Sequence, residues 1–403
     1  MRSSPWLLIA LAGVRAATPL MGWSGWTTYA NTSLDCMPTS TYPRCLSDAL
    51  YESIADDLAT KGYRDAGYSW IDIEDGWAAT RRDAFGQLNA DPVRFPHGLA
   101  GLVASVQSKG MNMGIGVELG PTTCKGRNGL TGSAGHYEID IQTLAAANIS
   151  RLLVHACSFA TDTSSFYFSL ATLSTLAQKQ SLPMHLHCVF DRFPVNATLV
   201  ATFCSTVQTT SALPDRWGPV QAHIHSLLHH PSSDTYPGGL VVGGYALTLG
   251  QSRIQLGVWL LLHAPLIVNL DPWVLDERVR DLLLRPEVAD LTLRSQPKAP
   301  PTRLALLPAG VAVWRRSILL NATPAILVLV LRLELREPQV PVPVVLELDD
   351  IVGASCVAAR VRDVWSGNAA RVKFRFNTTI APLDAQLFVV QPVAPSTDAA
   401  DGR

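Results

Sequence analysis

The sequence predicts a parallel β/α barrel followed by an antiparallel β-sandwich, and three observations carry that prediction. Between Leu46 and Leu284 short β-rich runs alternate with helical patterns, as a parallel sheet with crossover helices requires. The run from Tyr68 to Ile73 is apolar and of strand length, and it ends on two adjacent carboxylates, Glu74 and Asp75, followed by Gly76 and Trp77. Acids at the carboxyl end of a buried strand mark the mouth of such a barrel, where the loops carry the chemistry. Beyond the proline-rich stretch Gln296 to Pro301, closely spaced β-rich runs divided by turn residues give the pattern of a sandwich.

Composition bounds the rest. The chain has 403 residues, 48% hydrophobic and 16% charged, enough to bury a large core in more than one domain. A net charge of -1 with a pI near 6.8 leaves no footprint for nucleic acid or an anionic membrane surface. Arg2, the apolar stretch Trp6 to Val14 and a cut near Ala17 read as a secretory signal over residues 1–16. Five sequons, at Asn31, Asn148, Asn196, Asn321 and Asn377, point the same way. No later segment reads as a membrane span, since the apolar run from Ala325 to Leu335 is short and its end alternates with charge, as in a strand. There are seven cysteines, so a secreted chain leaves one outside the internal pairs. Cys36 and Cys45 are close enough for a local loop.

The elements follow in order. Leu46 to Lys61 is an amphipathic helix, with Leu50, Ile54 and Leu58 at helical spacing and Asp48 and Glu52 favouring its first turns. After the strand ending at Glu74 come a helix over Leu102 to Lys109, a strand over Met113 to Leu119 and a helix opening at Tyr137. Ser252 to His263 is a helix, Pro265 to Leu270 a strand and Val274 to Leu284 a closing helix. The sandwich strands are expected at Gly310 to Trp314, Ile326 to Leu335, Val342 to Leu348, Val357 to Val364 and Ala385 to Val390. Between barrel units sit His223, His225, His229 and His230. His225 and His229 share a helical face and invite a zinc reading, but no third ligand is evident, so they read as solvated histidines. No metal and no cofactor are expected.

Gly67, Tyr68, Ile71, Ile73, Glu74, Asp75 and Trp77 together resemble the signature of the α-galactosidase (melibiase) family of retaining glycoside hydrolases, related to α-N-acetylgalactosaminidase. Similarity is dense from Thr18 to Thr143 and includes the opening run Thr18 to Trp26 and the loop Asp91 to Leu99; Asp363-Val364-Trp365-Ser366-Gly367 resembles the C-terminal motif. With the resemblance, the expected division is a (β/α)8 barrel over 17–295, a proline-rich linker over 296–302, an antiparallel β-sandwich over 303–395 and a disordered tail over 396–403. The resemblance assigns sugar contacts to Trp26, Glu74 and Asp75, the acids holding the 4- and 6-hydroxyls of galactose where the family has two aspartates. It pairs Cys124 with Cys157 and Cys188 with Cys204, and leaves Cys356 over. A further family bridge, between positions near Asn31 and Gly76, has lost both cysteines.

The pattern then breaks where the family keeps its machinery. The family's Leu-Leu-Lys-Phe-Asp-Gly-Cys becomes Leu152-Leu153-Val154-His155-Ala156-Cys157, one residue short. Counting back from Cys157 puts His155 in the nucleophile's slot, and counting forward puts Val154 where the family has lysine. Val189 replaces the glutamate that senses the sugar's 2-position, with Arg192 nearby. Gln208 stands for an arginine and Ala212 for the acid/base aspartate, and after Gly238-Gly239 a loop is lost. Retaining hydrolysis needs one carboxylate to attack and a second to protonate the leaving oxygen. The substitutions therefore imply a weak or inactive hydrolase, one that keeps a galactoside handhold after three anions and two cations have left its site. A rival reading is an active α-galactosidase using relocated carboxylates, Asp191 or Asp215. A third is a structural glycoprotein. The expected partners are terminal α-galactosides or galactose-containing glycans, with a second copy of the chain as a candidate. The expected destination is the secretory pathway, outside the cell or in a lysosome-like compartment.

Overall fold

The computed structural model describes residues 19–29, 45–124, 131–158, 163–191, 195–229, 231 and 236–393. The stretch 1–16 expected as a signal, Asn31, Cys36, Arg192, His230 and the stretch 396–403 expected as a tail lie outside the described residues.

Seven parallel strands form the first sheet: β1 (Met21–Ser24), β2 (Trp70–Ile73), β3 (Asn112–Glu118), β4 (Arg151–His155), β5 (His185–Val189), β6 (Thr206–Gln208) and β7 (Leu266–Val268). Their order is β6-β5-β4-β3-β2-β1-β7. Chain neighbours pair from β1 to β6, and β7 returns to the far side of β1. Nearly all their residues are buried, as expected of strands covered on both faces. The eighth place expected of a (β/α)8 barrel is held by an isolated bridge between Leu240 and Val268. There Leu240 N donates to Ile267 O at 2.7 Å and Asn269 N to Leu240 O at 2.8 Å, while Tyr236 N donates to Val207 O at 2.6 Å. Segment 236–242 thus touches both edges of the sheet without forming a regular strand. Gly239 packs so tightly on Asn269 that an added Cβ would lie 2.3 Å from its side-chain nitrogen.

Helices fill the crossovers: α1 (Trp26–Tyr29), α2 (Asp48–Thr60), α3 (Gly98–Ser108), α4 (Tyr137–Ala146), α5 (Thr163–Gln178), α6 (Ala197–Val200), α7 (Trp217–His229), α8 (Leu249–Leu262), α9 (Glu277–Leu283) and α10 (Pro286–Leu293). Ser47 caps α2 by accepting from Leu50 N, so the helix starts later than its apolar spacing suggests. The closing helix expected over Val274 to Leu284 is α9, shortened to Glu277–Leu283 by its cap at Asp276, and a further helix, α10, follows it from Pro286. A capping box between Thr248 and Gln251 opens α8.

The C-terminal part is antiparallel. Its larger sheet runs β14-β13-β16-β11-β10-β8, with β9 also on β10. These are β8 (Ser295–Pro297), β9 (Thr302–Leu307), β10 (Val311–Leu320), β11 (Thr323–Arg332), β13 (Ala358–Asp363), β14 (Ala369–Lys373) and β16 (Asp384–Pro392). β12 (Val342–Glu347) pairs with β15 (Arg375–Ile380), and α11 (Leu348–Val352) follows β12. The proline-rich stretch expected as a linker begins with β8, whose residues pair with Ile318, Leu319 and Leu320. β11 is apolar on both faces for a reason. Ile326, Val328 and Val330 pack with Val344 and Leu346 of the two-stranded sheet. Leu327, Leu329 and Leu331 join the barrel's own core. Against that second face lies α8, buried at nearly every residue from Gln251 to Leu262. Gly257 permits the close approach, since a Cβ there would meet Leu329 at 2.8 Å. Trp365, from the motif after β13, donates its indole N–H to Ala385 O at 2.8 Å and lies against the same helix.

Candidate active site

Strand alternation and register build the site in tiers. Asp72, Gly114, Arg151 and His185 are neighbours across four strands. Two residues further along lie Gly116, Leu153, His187 and Thr206. At the carboxyl ends lie Glu118, His155, Val189 and Gln208. Side chains two apart share a face, so Arg151, Leu153 and His155 face inward while Leu152 and Val154 join the apolar shell outside. Val154 is therefore no stand-in for a catalytic lysine.

A cavity of about 220 Å³ opens over these tiers. Among its lining residues are Trp26, Glu74, His155, Val189, Gln208 and Ala212, six positions singled out by sequence. Asp191 also lines it. Asp215 is not among the lining residues, and its Oδ2 accepts the backbone N–H of Tyr245 at 3.2 Å. Asp75 is buried beside the mouth, lining a recess of about 10 Å³ with Glu74, Glu118 and His155. Its Oδ1 accepts from Gly76 N at 2.5 Å.

Trp26 and Glu74 are tied by one hydroxyl. Ser24 Oγ donates to Glu74 Oε1 at 2.7 Å and accepts from Trp26 N at 3.2 Å. Burial pushes the Glu74 carboxyl up to about 7, against the lowering effect of the Ser24 hydrogen bond. Burial also raises Glu118 to about 7, although Cys157, Gly120 and Ser158 donate backbone N–H groups to it. His155 is 6% exposed and stacks on Trp26, ring centroids 6.3 Å apart at 30°. Cys157 and Cys124 are joined beside it, and Cys188 is joined to Cys204. Cys45 is also disulfide-bonded, whereas Cys356 is free and buried.

Sequence reasoning missed the charge at the cavity floor. Arg151 Nε lies 3.0 Å from Asp72 Oδ1, its NH2 lies 3.2 Å from Oδ2, and both residues are buried. His187 is held neutral by burial and by Arg151, and hydrogen-bonds Thr206 at 2.7 Å. The cavity floor thus carries a buried ion pair, where the sequence reading considered only lost charges. The signals were available: Asp72 shares a face with Glu74, Arg151 shares one with His155, and a glycine stands in β3 between them. His225 lies 3.4 Å from Glu334, and His223 hydrogen-bonds Pro237 O at 2.8 Å, so two of the clustered histidines have protein partners rather than a metal geometry.

A parallel β/α sheet whose strand ends converge on an aromatic, carboxylate-bearing cavity defines a β/α-barrel-like protein with its ligand site at the carboxyl ends of the strands. The family described as "Alpha galactosidase A" matches residues 18–292, and the chain belongs to it. It is 30% identical over 285 residues to α-galactosidase A of Homo sapiens, a match covering 65% of this chain and 63% of that protein. To α-N-acetylgalactosaminidase of Mus musculus it is 30% identical over 285 residues, covering 67% and 66%. The chain thus spans a little under two thirds of the length of these curated relatives. The crystal structure of α-galactosidase I from Mortierella vinacea shares the fold, with a TM-score of 0.76 at 19% identity over 94% of this chain and 98% of that one. Among the described residues no helix is long and apolar enough to cross a membrane.

Proposed function

We propose that the chain binds terminal α-galactosides in this cavity and hydrolyses them weakly or not at all. One observation carries the reading: Trp26 and Glu74 line the same cavity as His155 and Ala212. The first two are the sugar handholds implied by the resemblance, and the last two stand where its two working acids would be. A ring face packs on the C–H side of a sugar, and a carboxyl beside it takes hydroxyls. An imidazole and a methyl group offer neither a carboxylate nucleophile nor a proton donor matched to it. Asp72, another carboxylate lining the cavity, is engaged by Arg151. Disulfides at Cys124–Cys157 and Cys188–Cys204 favour an oxidising, secretory destination.

A second reading rests on Asp191, which lines the cavity with Glu74. Glu74, half protonated near neutrality, would serve as the acid and Asp191 as the base. Nitrophenol release from an aryl α-galactoside, measured beside galactose binding, separates the two. Binding without release, lost in the Glu74→Ala, Asp75→Ala double variant, supports the first. Release at enzyme-like rates that falls in Asp191→Ala establishes the second and removes the first.

A further inference from the structure

Beside the cavity, Cys124, His155 and Cys157 each place one donor atom within 4.8 Å of the other two. The two sulfurs are joined in the disulfide, and His155 ends β4 two residues before Cys157. Glu118, in register with His155, sets a carboxylate oxygen 3.7 Å from Cys124 Sγ and accepts Cys157 N at 3.1 Å. An imidazole therefore stands against a cystine whose other neighbour is a buried carboxyl. Two thiolates and an imidazole are a donor set for zinc-class cations, and three protein ligands leave a fourth position open.

We propose that reduction of the Cys124–Cys157 disulfide converts this corner into a Cys2His site for a zinc-class divalent cation. All three residues line the cavity, so the fourth position is left to solvent there. The chemistry balances. A phosphine reductant takes up the oxygen of water as the S–S bond breaks and leaves two thiols. The cation then displaces both thiol protons to solvent and forms two metal–sulfur bonds and one metal–nitrogen bond. Around a tetrahedral ion with metal–sulfur bonds near 2.3 Å the sulfurs separate to about 3.8 Å. That displacement is within reach of side-chain rotation, because the donors already lie within 4.8 Å of one another. Glu118 would then act from behind the ligands, its carboxylate offsetting the cation's charge and its bond to Cys157 N fixing that segment. The oxidised protein lacks the thiolates and takes no cation there, so metal occupancy reports the redox state of one bridge.

The test uses the full chain, reduced anaerobically with a water-soluble phosphine and titrated with cobalt(II). Background from the other cysteines is removed by working in a Cys36→Ser, Cys45→Ser, Cys188→Ser, Cys204→Ser, Cys356→Ser variant, which keeps only Cys124 and Cys157. Expected is one equivalent of cobalt with a near-ultraviolet thiolate charge-transfer band and intense tetrahedral visible bands, absent without reductant. His155→Ala, which keeps both cysteines, should weaken binding by about tenfold or more and shift the visible bands. Excess zinc should bleach the spectrum. No band in the reduced protein, or unchanged affinity and spectrum in His155→Ala, overturns the proposal. So does a reduced chain whose far-ultraviolet dichroism collapses and is not recovered by zinc.

Discussion

Arg151 reaches across β3 to Asp72 through a gap that only a glycine leaves open. An added Cβ on Gly114 would lie 2.2 Å from Asp72 Oδ1 and 3.0 Å from Arg151 Cδ. The pair is bidentate and buried beneath the cavity, with His185 Nδ1 3.2 Å from the guanidinium on its other side. Removing one partner strands the other charge. Arg151→Met or Asp72→Val should each cost about 3–5 kcal/mol, while the double variant should recover much of the loss. Urea denaturation of the four proteins in a double-mutant cycle checks this. Additive losses would show that the pair is not coupled.

Gly114→Ala should be nearly as damaging, because the new methyl group enters the bridge itself. Loss of about 2 kcal/mol or more in the same denaturation assay is expected. That loss should shrink in the Arg151→Met, Asp72→Val background, where the space is free.

Stability should fall as pH rises from 4.5 to 7. Glu74 and Glu118 both titrate near 7 in the folded chain and near 4.5 when exposed. Across that window the folded state holds protons that the unfolded state has released, so raising the pH favours unfolding. The contribution is present in full below 4.5 and is lost by about 7. Melting curves at pH 5 and pH 7.5 should show a steeper drop for the wild type than for Glu74→Gln or Glu118→Gln.

Trp26→Ala should weaken galactoside binding roughly tenfold with only a small change in melting temperature, because the ring is partly exposed over the cavity. Trp23→Ala is the contrast. That ring is 1% exposed and donates to Leu270 O at 2.7 Å, so its loss should cost about 3–5 kcal/mol of stability. Calorimetric titration with galactose and thermal melts distinguish the two tryptophans.

Much of this was legible in the chain. Leu50, Ile54 and Leu58 are all buried on α2 as their spacing requires, and the acids after β2 stand at the carboxyl end of a parallel sheet. Disulfide partners for Cys124 and Cys188 came from likeness rather than from spacing, and the structure has the same pairs. The eighth barrel strand was expected and is only a bridge, because hydrogen bonding over Leu240 needs two aligned edges that apolar pattern does not report. Strands β9, β14 and β15 went unread. None has an apolar face that is fully buried along its length, and they carry the charges Arg303, Arg371, Lys373 and Arg375, so alternation is weak. The Arg151–Asp72 pair was missed for a different reason: each strand shows which way its residue faces, but not the level at which it meets the other. Its members are 79 residues apart, and only register puts them at one level.

The packing of α8 against Leu329 and Trp365 has a consequence for how the molecule comes apart. Its apolar interior passes without a break from the parallel strands through that helix into the second face of β11. Two folded bodies sharing one interior should melt in a single calorimetric event. A chain ended before β8 would wet a helix that has almost no polar side, and such a fragment should clump rather than stand alone.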